Sequence, residues 1–171
     1  MKLIKTYVSA FLLAIAAILP FGQAHALSMT DALENSITDW FFRAQAFTPP
    51  ATIHVALLTT ACGETGGGTE VTGGAYARVA VTSSLANWAG TQAAASTAVS
   101  SGNTGTTSNN IALTFPAPTA NWGTVSHFAL MSAASAGTMY FCAALTTPKT
   151  INNLDAAPSF AISSLTIQTD N

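Results

Sequence analysis

Beyond residue 50 the chain alternates apolar and polar positions in short runs: 52–59 (TIHVALLT), 76–84 (YARVAVTSS), 111–116 (IALTFP), 125–132 (VSHFALMS), 139–147 (MYFCAALTT) and 160–169 (FAISSLTIQT). Runs of this length, rich in β-branched and aromatic residues and bounded by Gly, Asn, Pro or Ser, predict β-strands. No helical period of useful length falls between them. The predicted fold class is therefore all-β: a single antiparallel β-sandwich, jelly-roll-like or Ig-like, rather than a βαβ fold. Residues 133–137 (AASAG) separate two of the runs and predict a hairpin in which Gly137 supplies the permissive backbone conformation.

Before residue 50 the period changes. Ser28, Thr30 and Asp31 offer hydroxyl caps and an acid for a first turn, and Leu33, Ile37, Trp40 and Phe41 then recur at i, i+4, i+7 and i+8. This spacing predicts one N-terminal amphipathic helix of three to four turns, ending before Pro49 and Pro50. Its aromatic face is expected to cap a sheet rather than to bind a small ligand. If the protein assembles, Trp40, Phe41 and Phe42 are its candidate contact surface.

The first 26 residues have a different character. Lys2 and Lys5 precede a 13-residue apolar run from Tyr7 to Leu19, followed by Pro20 and the small-residue pattern Ala24-His25-Ala26. That is the pattern of a secretory signal, and the run is shorter than the roughly 20 residues a membrane-spanning helix needs. The competing reading is a true start at Met29. The expected division is a leader over 1–26 and a β-sandwich domain over 27–171, with no permanent membrane span.

Composition narrows the function. The chain of 171 residues is 49% hydrophobic and only 7% charged, enough for one domain with a real core. Without the leader, three basic side chains (Arg43, Arg78, Lys149) stand against seven acidic ones, a net charge of −4. Such a balance argues against nucleic acid as a partner.

Candidate chemistry is sparse. No carboxylate side chain lies between Glu70 and Asp155, and no Gly-x-Ser-x-Gly elbow accompanies His54 or His127, which read as structural. Cys62 and Cys142 with the two histidines lack the close spacing of a zinc site, and the glycine-rich stretch 62–74 lacks the Lys-Ser/Thr and the following helix of a phosphate cradle. No catalytic residue, metal or cofactor is expected. The two cysteines fit one disulfide if the protein is exported, the alternative being two buried thiols. Trp88 and Trp122, each after an Asn, either stack on sugar rings as a glycan contact or plug the ends of the sandwich. The polar stretches 62–74 and 86–110 read as surface loops that order against neighbours in an assembled particle.

Four stretches carry a resemblance: MTDALENSITDWFFR (29–43), HVALLTTACGETGGGTEVTGGAYARVAV (54–81), ALTFPAPTANWGTVSHFALMSAASAG (112–137) and ALTTPKTINNLDAAPSFAISSLTIQTD (144–170). Together they resemble a family of tailed-bacteriophage virion proteins, the tail fibre or tail-fibre-like structural proteins. The resemblance implies a small β-rich structural protein without enzymatic activity, located in the virion, or outside the cell if the leader is used. The expected partners are further copies of the chain and other virion or filament proteins. A secreted adhesin or carbohydrate-binding module facing a cell-surface glycan is the alternative.

Overall fold

The computed structural model describes residues 28–169. The predicted leader lies outside them. Strand β1 (Ser28–Met29) is followed by helix α1 (Asp31–Arg43), then by β2 (Thr52–Leu58), β3 (Val79–Thr82), β4 (Thr106–Ser108), β5 (Leu113–Thr114), β6 (Gly123–Met131), β7 (Met139–Ile151), β8 (Ser159–Phe160) and β9 (Thr166–Gln168). The fold is all-β with antiparallel sheets and one small N-terminal helix.

Five strands form the main sheet in the order β1-β7-β6-β2-β3, and β4-β9 and β5-β8 form two-stranded ribbons. The run Val55-Ala56-Leu57-Leu58 is buried throughout rather than alternately. Successive side chains point to opposite faces, so both faces of the sheet are covered here. Val55 and Leu57 enter the larger core cluster with Val81, Phe128 and Leu130 of the sheet, and with Leu113 and Ile167 of the ribbons. Ala56 and Leu58 face the other way, with Ala129, Met131 and Cys142. The ribbons make up the sandwich's second layer; the back face is covered locally, where Cys62 packs.

The hairpin is as the sequence predicts. β6 and β7 pair from Met131↔Met139 to Gly123↔Ile151, and Ala136 (φ 49°) and Gly137 (φ 79°) turn the chain through the left-handed region. β7 runs four residues beyond its predicted end, across Pro148. This proline falls where the register shifts between Val125 and His127, so its missing N–H costs the ladder little.

Three expectations are corrected. The single strand at 160–169 divides into β8 and β9, which belong to different ribbons, because Asn109 holds a turn between them. Within the polar stretch 86–110, Thr106–Ser108 forms β4, and Trp88 bridges Asn109. The third concerns α1: Leu33 is buried, but the aromatic face does not cap the sheet. Thr30 occupies the N-cap without a side-chain cap bond, its hydroxyl donating instead to the carbonyl of Met139. Tertiary anchoring wins over local capping at this residue.

Candidate functional site

Trp40, Phe41 and Phe42 are 55%, 69% and 78% exposed. Phe42 meets Phe41 edge-on with ring centroids 4.9 Å apart, and Trp40 lies 6.2 Å from Phe41. The rings therefore form one cluster on solvent. Its start is tied down, since the Thr30 amide donates to the Tyr140 carbonyl at 3.0 Å and the Asp31 amide to the Glu64 carbonyl at 2.9 Å. Its end is free of the sheet: Arg43 pairs only with Asp39 at 2.7 Å, and Ala44 stops the helix at φ 53°.

The described residues hold one largely buried ionic group. Arg78, whose side chain is 6% exposed, grips Glu70 bidentately, Nε to Oε1 at 2.8 Å and Nη2 to Oε2 at 2.7 Å. Its Nη1 donates to the carbonyls of Ala133 at 2.6 Å and Ala136 at 2.8 Å. The Tyr76 hydroxyl donates to Glu70 Oε1 at 2.9 Å and accepts from the Leu57 amide at 2.9 Å. One cluster thus fastens the stretch 70–78, strand β2 and the β6–β7 turn together.

Electrostatics follow from that packing. Partial burial pushes the Glu70 carboxyl up, but the hydrogen bonds from Arg78 and Tyr76 and the guanidinium charge outweigh it and hold the carboxyl below its ordinary value. Its hydrogen bond to Glu70 raises Arg78 further, against the burial that opposes it. Burial, reinforced by the negative charge of Glu70, pushes the Tyr76 hydroxyl well above its usual range. Each of these groups is held in one protonation state near neutral pH and hydrogen-bonded to the others, as suits a clamp. The alternating pattern of the chain does not single this cluster out. Its one signal in the sequence is the presence of Glu70 and Arg78 within one short motif in a chain with so few charges.

Trp122 is 5% exposed, with its Nε1 donating to the Gly74 carbonyl at 2.9 Å and the Tyr76 ring edge-on at 5.3 Å. It packs in the core and presents no face for a sugar. Trp88 is half-buried against the larger core cluster, and its indole Nε1 is buried without a partner. The structure does not bring the two tryptophans into one binding surface.

Cys62 and Cys142 form a disulfide, their Cα atoms 6.3 Å apart, which pins the glycine-rich stretch onto the back of β7. In that stretch Gly63 and Gly66 exchange backbone hydrogen bonds of 2.9 Å, and Leu58 bridges Glu70, so it is a folded strand connection. His54 and His127 sit on β2 and β6 at register positions four residues apart, and His127 Nδ1 lies 2.8 Å from the Ser126 hydroxyl. Among the described residues no group of three or more His, Cys, Asp or Glu side chains is placed to hold a metal. No helix among them is long and apolar enough to cross a membrane.

A family model described as Podophage GP4 fiber I protein gp80 matches residues 28–168, well over half of the chain. No curated protein matches it. The matched span contains the aromatic helix, the Glu70–Arg78 clamp, the Gly74–Trp122 contact and both cysteines.

Proposed function

The chain belongs to the Podophage GP4 fiber I protein gp80 family, a family of phage fibre proteins, and from that premise we propose that it is a non-enzymatic structural subunit of the virion that works by self-assembly or by attachment to a larger protein lattice. The observation that carries this reading is the cluster of Trp40, Phe41 and Phe42 on a helix that buries only Leu33. Contiguous exposed aromatic surface marks a place that another protein covers.

The rest of the chemistry agrees. The loop 86–110 carries no charged side chain and is built mainly from Gly, Ala, Ser, Thr and Asn, which enter a close-packed contact without leaving a buried charge unpaired. The strongest ionic cluster is spent on holding the fold together.

Sedimentation of the full chain over a range of concentrations, with immunodetection in purified phage particles, tests the proposal. An oligomer, or co-purification with particles, is the expected result. A protein that stays monomeric at high concentration and is absent from particles would overturn it.

A further inference from the structure

Helix α1 takes the partner for its first amide from a distant loop. The Thr30 hydroxyl is spent on the Met139 carbonyl, and the Asp31 amide donates to the Glu64 carbonyl at 2.9 Å. The first N–H groups of a helix have no acceptor within it, so this bond satisfies one of them from outside.

Glu64 stands at the tip of a hairpin. Its base is laddered, the Thr59 amide donating to the Thr69 carbonyl at 2.8 Å and the Thr69 amide to the Thr60 hydroxyl at 2.8 Å. Within the tip, 61–68, Gly63 and Gly66 bond each other, and the one hydrogen bond that leaves it for another part of the described residues is that to Asp31. Charge does not hold the tip there. Asp31, Glu34 and Glu64 are all acids, and no basic side chain lines the cleft of about 490 Å³ between the tip, the start of α1 and the β6–β7 turn.

The tie that remains is covalent. The disulfide joins Cys62, two residues before Glu64, to Cys142, and Cys142 pairs with Ser28 in the strand that leads into the helix. One bond thus fixes the loop that serves the helix's first turn to the strand that carries the helix's approach.

We propose that the Cys62–Cys142 disulfide is a redox latch on helix α1. Closed, it keeps the Glu64 carbonyl on the Asp31 amide and fixes the start of the helix; open, it frees the tip, and the first turn frays. Cys142 is buried and Cys62 only partly so, which makes Cys62 Sγ the sulfur open to attack. A small thiolate attacks it, the sulfur–sulfur bond breaks, and Cys142 leaves as a thiolate. A second thiolate then attacks the mixed disulfide, releasing Cys62 and a small-molecule disulfide. Oxidised glutathione runs the exchange backwards, taking two electrons from the protein dithiol and leaving as two thiols.

The consequence for assembly rests on the self-assembly reading. A fixed start presents Trp40, Phe41 and Phe42 in one orientation, so the oxidised chain is the better assembler. Thiols stay reduced in a cytoplasm and close outside it, so the latch tightens contacts in a released particle.

Amide hydrogen exchange of the full chain, oxidised and after dithiothreitol, tests the latch. The Asp31 amide is expected to exchange at least about tenfold faster once reduced, at a rate that stays flat in low urea, the mark of a local opening. The Trp122 amide, bonded to the Ile151 carbonyl, reports whole-domain unfolding and should accelerate steeply with urea. Oxidised glutathione should restore the slow rate. An Asp31 rate that does not change on reduction would overturn the latch. So would one that rises with urea in step with Trp122, or a reduced chain that loses its fold, because the bond would then brace the whole domain.

Sedimentation velocity of the same two samples separates the latch from the reading beneath it. The oxidised chain is expected to associate at least about threefold more tightly. Local opening at Asp31 in a chain that is monomeric in both states and absent from particles would leave the latch standing and defeat the self-assembly reading. An oligomer whose Asp31 exchange ignores reduction would do the reverse.

Discussion

The indole Nε1 of Trp122 donates to the backbone carbonyl of Gly74 at 2.9 Å, joining two stretches 48 residues apart. The Trp122 amide meanwhile donates to the Ile151 carbonyl at 3.0 Å, so the residue ties the stretch after β5 both to the end of β7 and to the loop before β3. Gly74 is held at φ +52°, and a Cβ built there would stand 2.9 Å from Trp122 Nε1 and 3.0 Å from the Ala120 amide. Gly74→Ala therefore adds both backbone strain and a clash with a buried ring. The expected loss is about 1–3 kcal/mol, read as a lower midpoint in urea unfolding. Trp122→Phe keeps part of the ring but removes one of the two donors to the Gly74 carbonyl, which retains the Thr119 amide at 3.0 Å, for a loss of about 0.5–1.5 kcal/mol from the hydrogen bond.

A pH effect follows from the Glu70–Arg78 pair. The folded protein holds the Glu70 carboxyl below its ordinary value of 4.5, so folding favours the ionised form. The stability this contributes is present above the ordinary value and is lost as pH falls through the lowered one. Glu70→Gln removes the dependence along with the charge. At neutral pH the variant is expected to be less stable by about 1–2 kcal/mol, since the Glu70 side chain is partly open to solvent. The wild-type advantage should shrink as pH falls below about 4.5. A gap between the two urea midpoints that stays constant from neutral pH into the acid range would sink the assignment.

Which parts of this structure the sequence makes legible depends on how local their causes are. The β6–β7 hairpin is legible because two long alternating runs flank a small-residue turn ending in Gly137, all within one window. Strand β4 is not, because Thr106, Thr107 and Ser108 carry no apolar period and pair only with Thr166–Gln168, some sixty residues away. The helix is legible as a helix, but an amphipathic pattern states only that one face avoids water. It does not state whether the cover comes from the same chain, and here Phe41 and Phe42 are left on solvent. The Arg78 clamp was hidden for the same reason as β4: half of its hydrogen bonds go to backbone carbonyls more than fifty residues on.

The disulfide gives a third test. Cys62 and Cys142 are 80 residues apart, and closing a loop of that size removes denatured-state entropy equivalent to about 4.5 kcal/mol in the chain-entropy model. Reduction, or a Cys62→Ser, Cys142→Ser double substitution, is expected to lower the unfolding midpoint sharply. Intact mass of the protein recovered from particles or culture fluid should show a deficit of two hydrogens that disappears with reductant. A virion released from its host is no longer in a reducing cytoplasm, so the bond persists there whether or not the leader directs export.

Asn109 is a fourth. It is fully buried, and its Nδ2 donates to the carbonyls of Ile111 at 2.8 Å and Ala161 at 2.7 Å while its Oδ1 accepts from the Leu165 amide at 2.9 Å. Its own carbonyl accepts from the Ser163 amide at 2.8 Å, in the turn where Ser163 takes φ 62°. This one side chain shapes the break between β8 and β9. Asn109→Leu is bulkier than the pocket it enters, leaves the buried Leu165 amide without its acceptor and takes one donor from the Ile111 and Ala161 carbonyls, and should cost about 2–4 kcal/mol. Hydrogen exchange at the Leu165 amide should accelerate in any Asn109 variant that still folds.

The exposed aromatic cluster predicts the opposite behaviour. In the monomer Trp40, Phe41 and Phe42 touch chiefly one another, so replacing all three with Ser removes little that folding has buried. Thermal stability of the dilute monomer is expected to change by less than about 1 kcal/mol, with the helical circular dichroism signal retained. Self-association, by contrast, should fall steeply on the proposal that these rings are the assembly surface. A large loss of monomer stability would mean that the rings serve this chain's own fold, and the exposed face of α1 would then no longer be evidence for assembly.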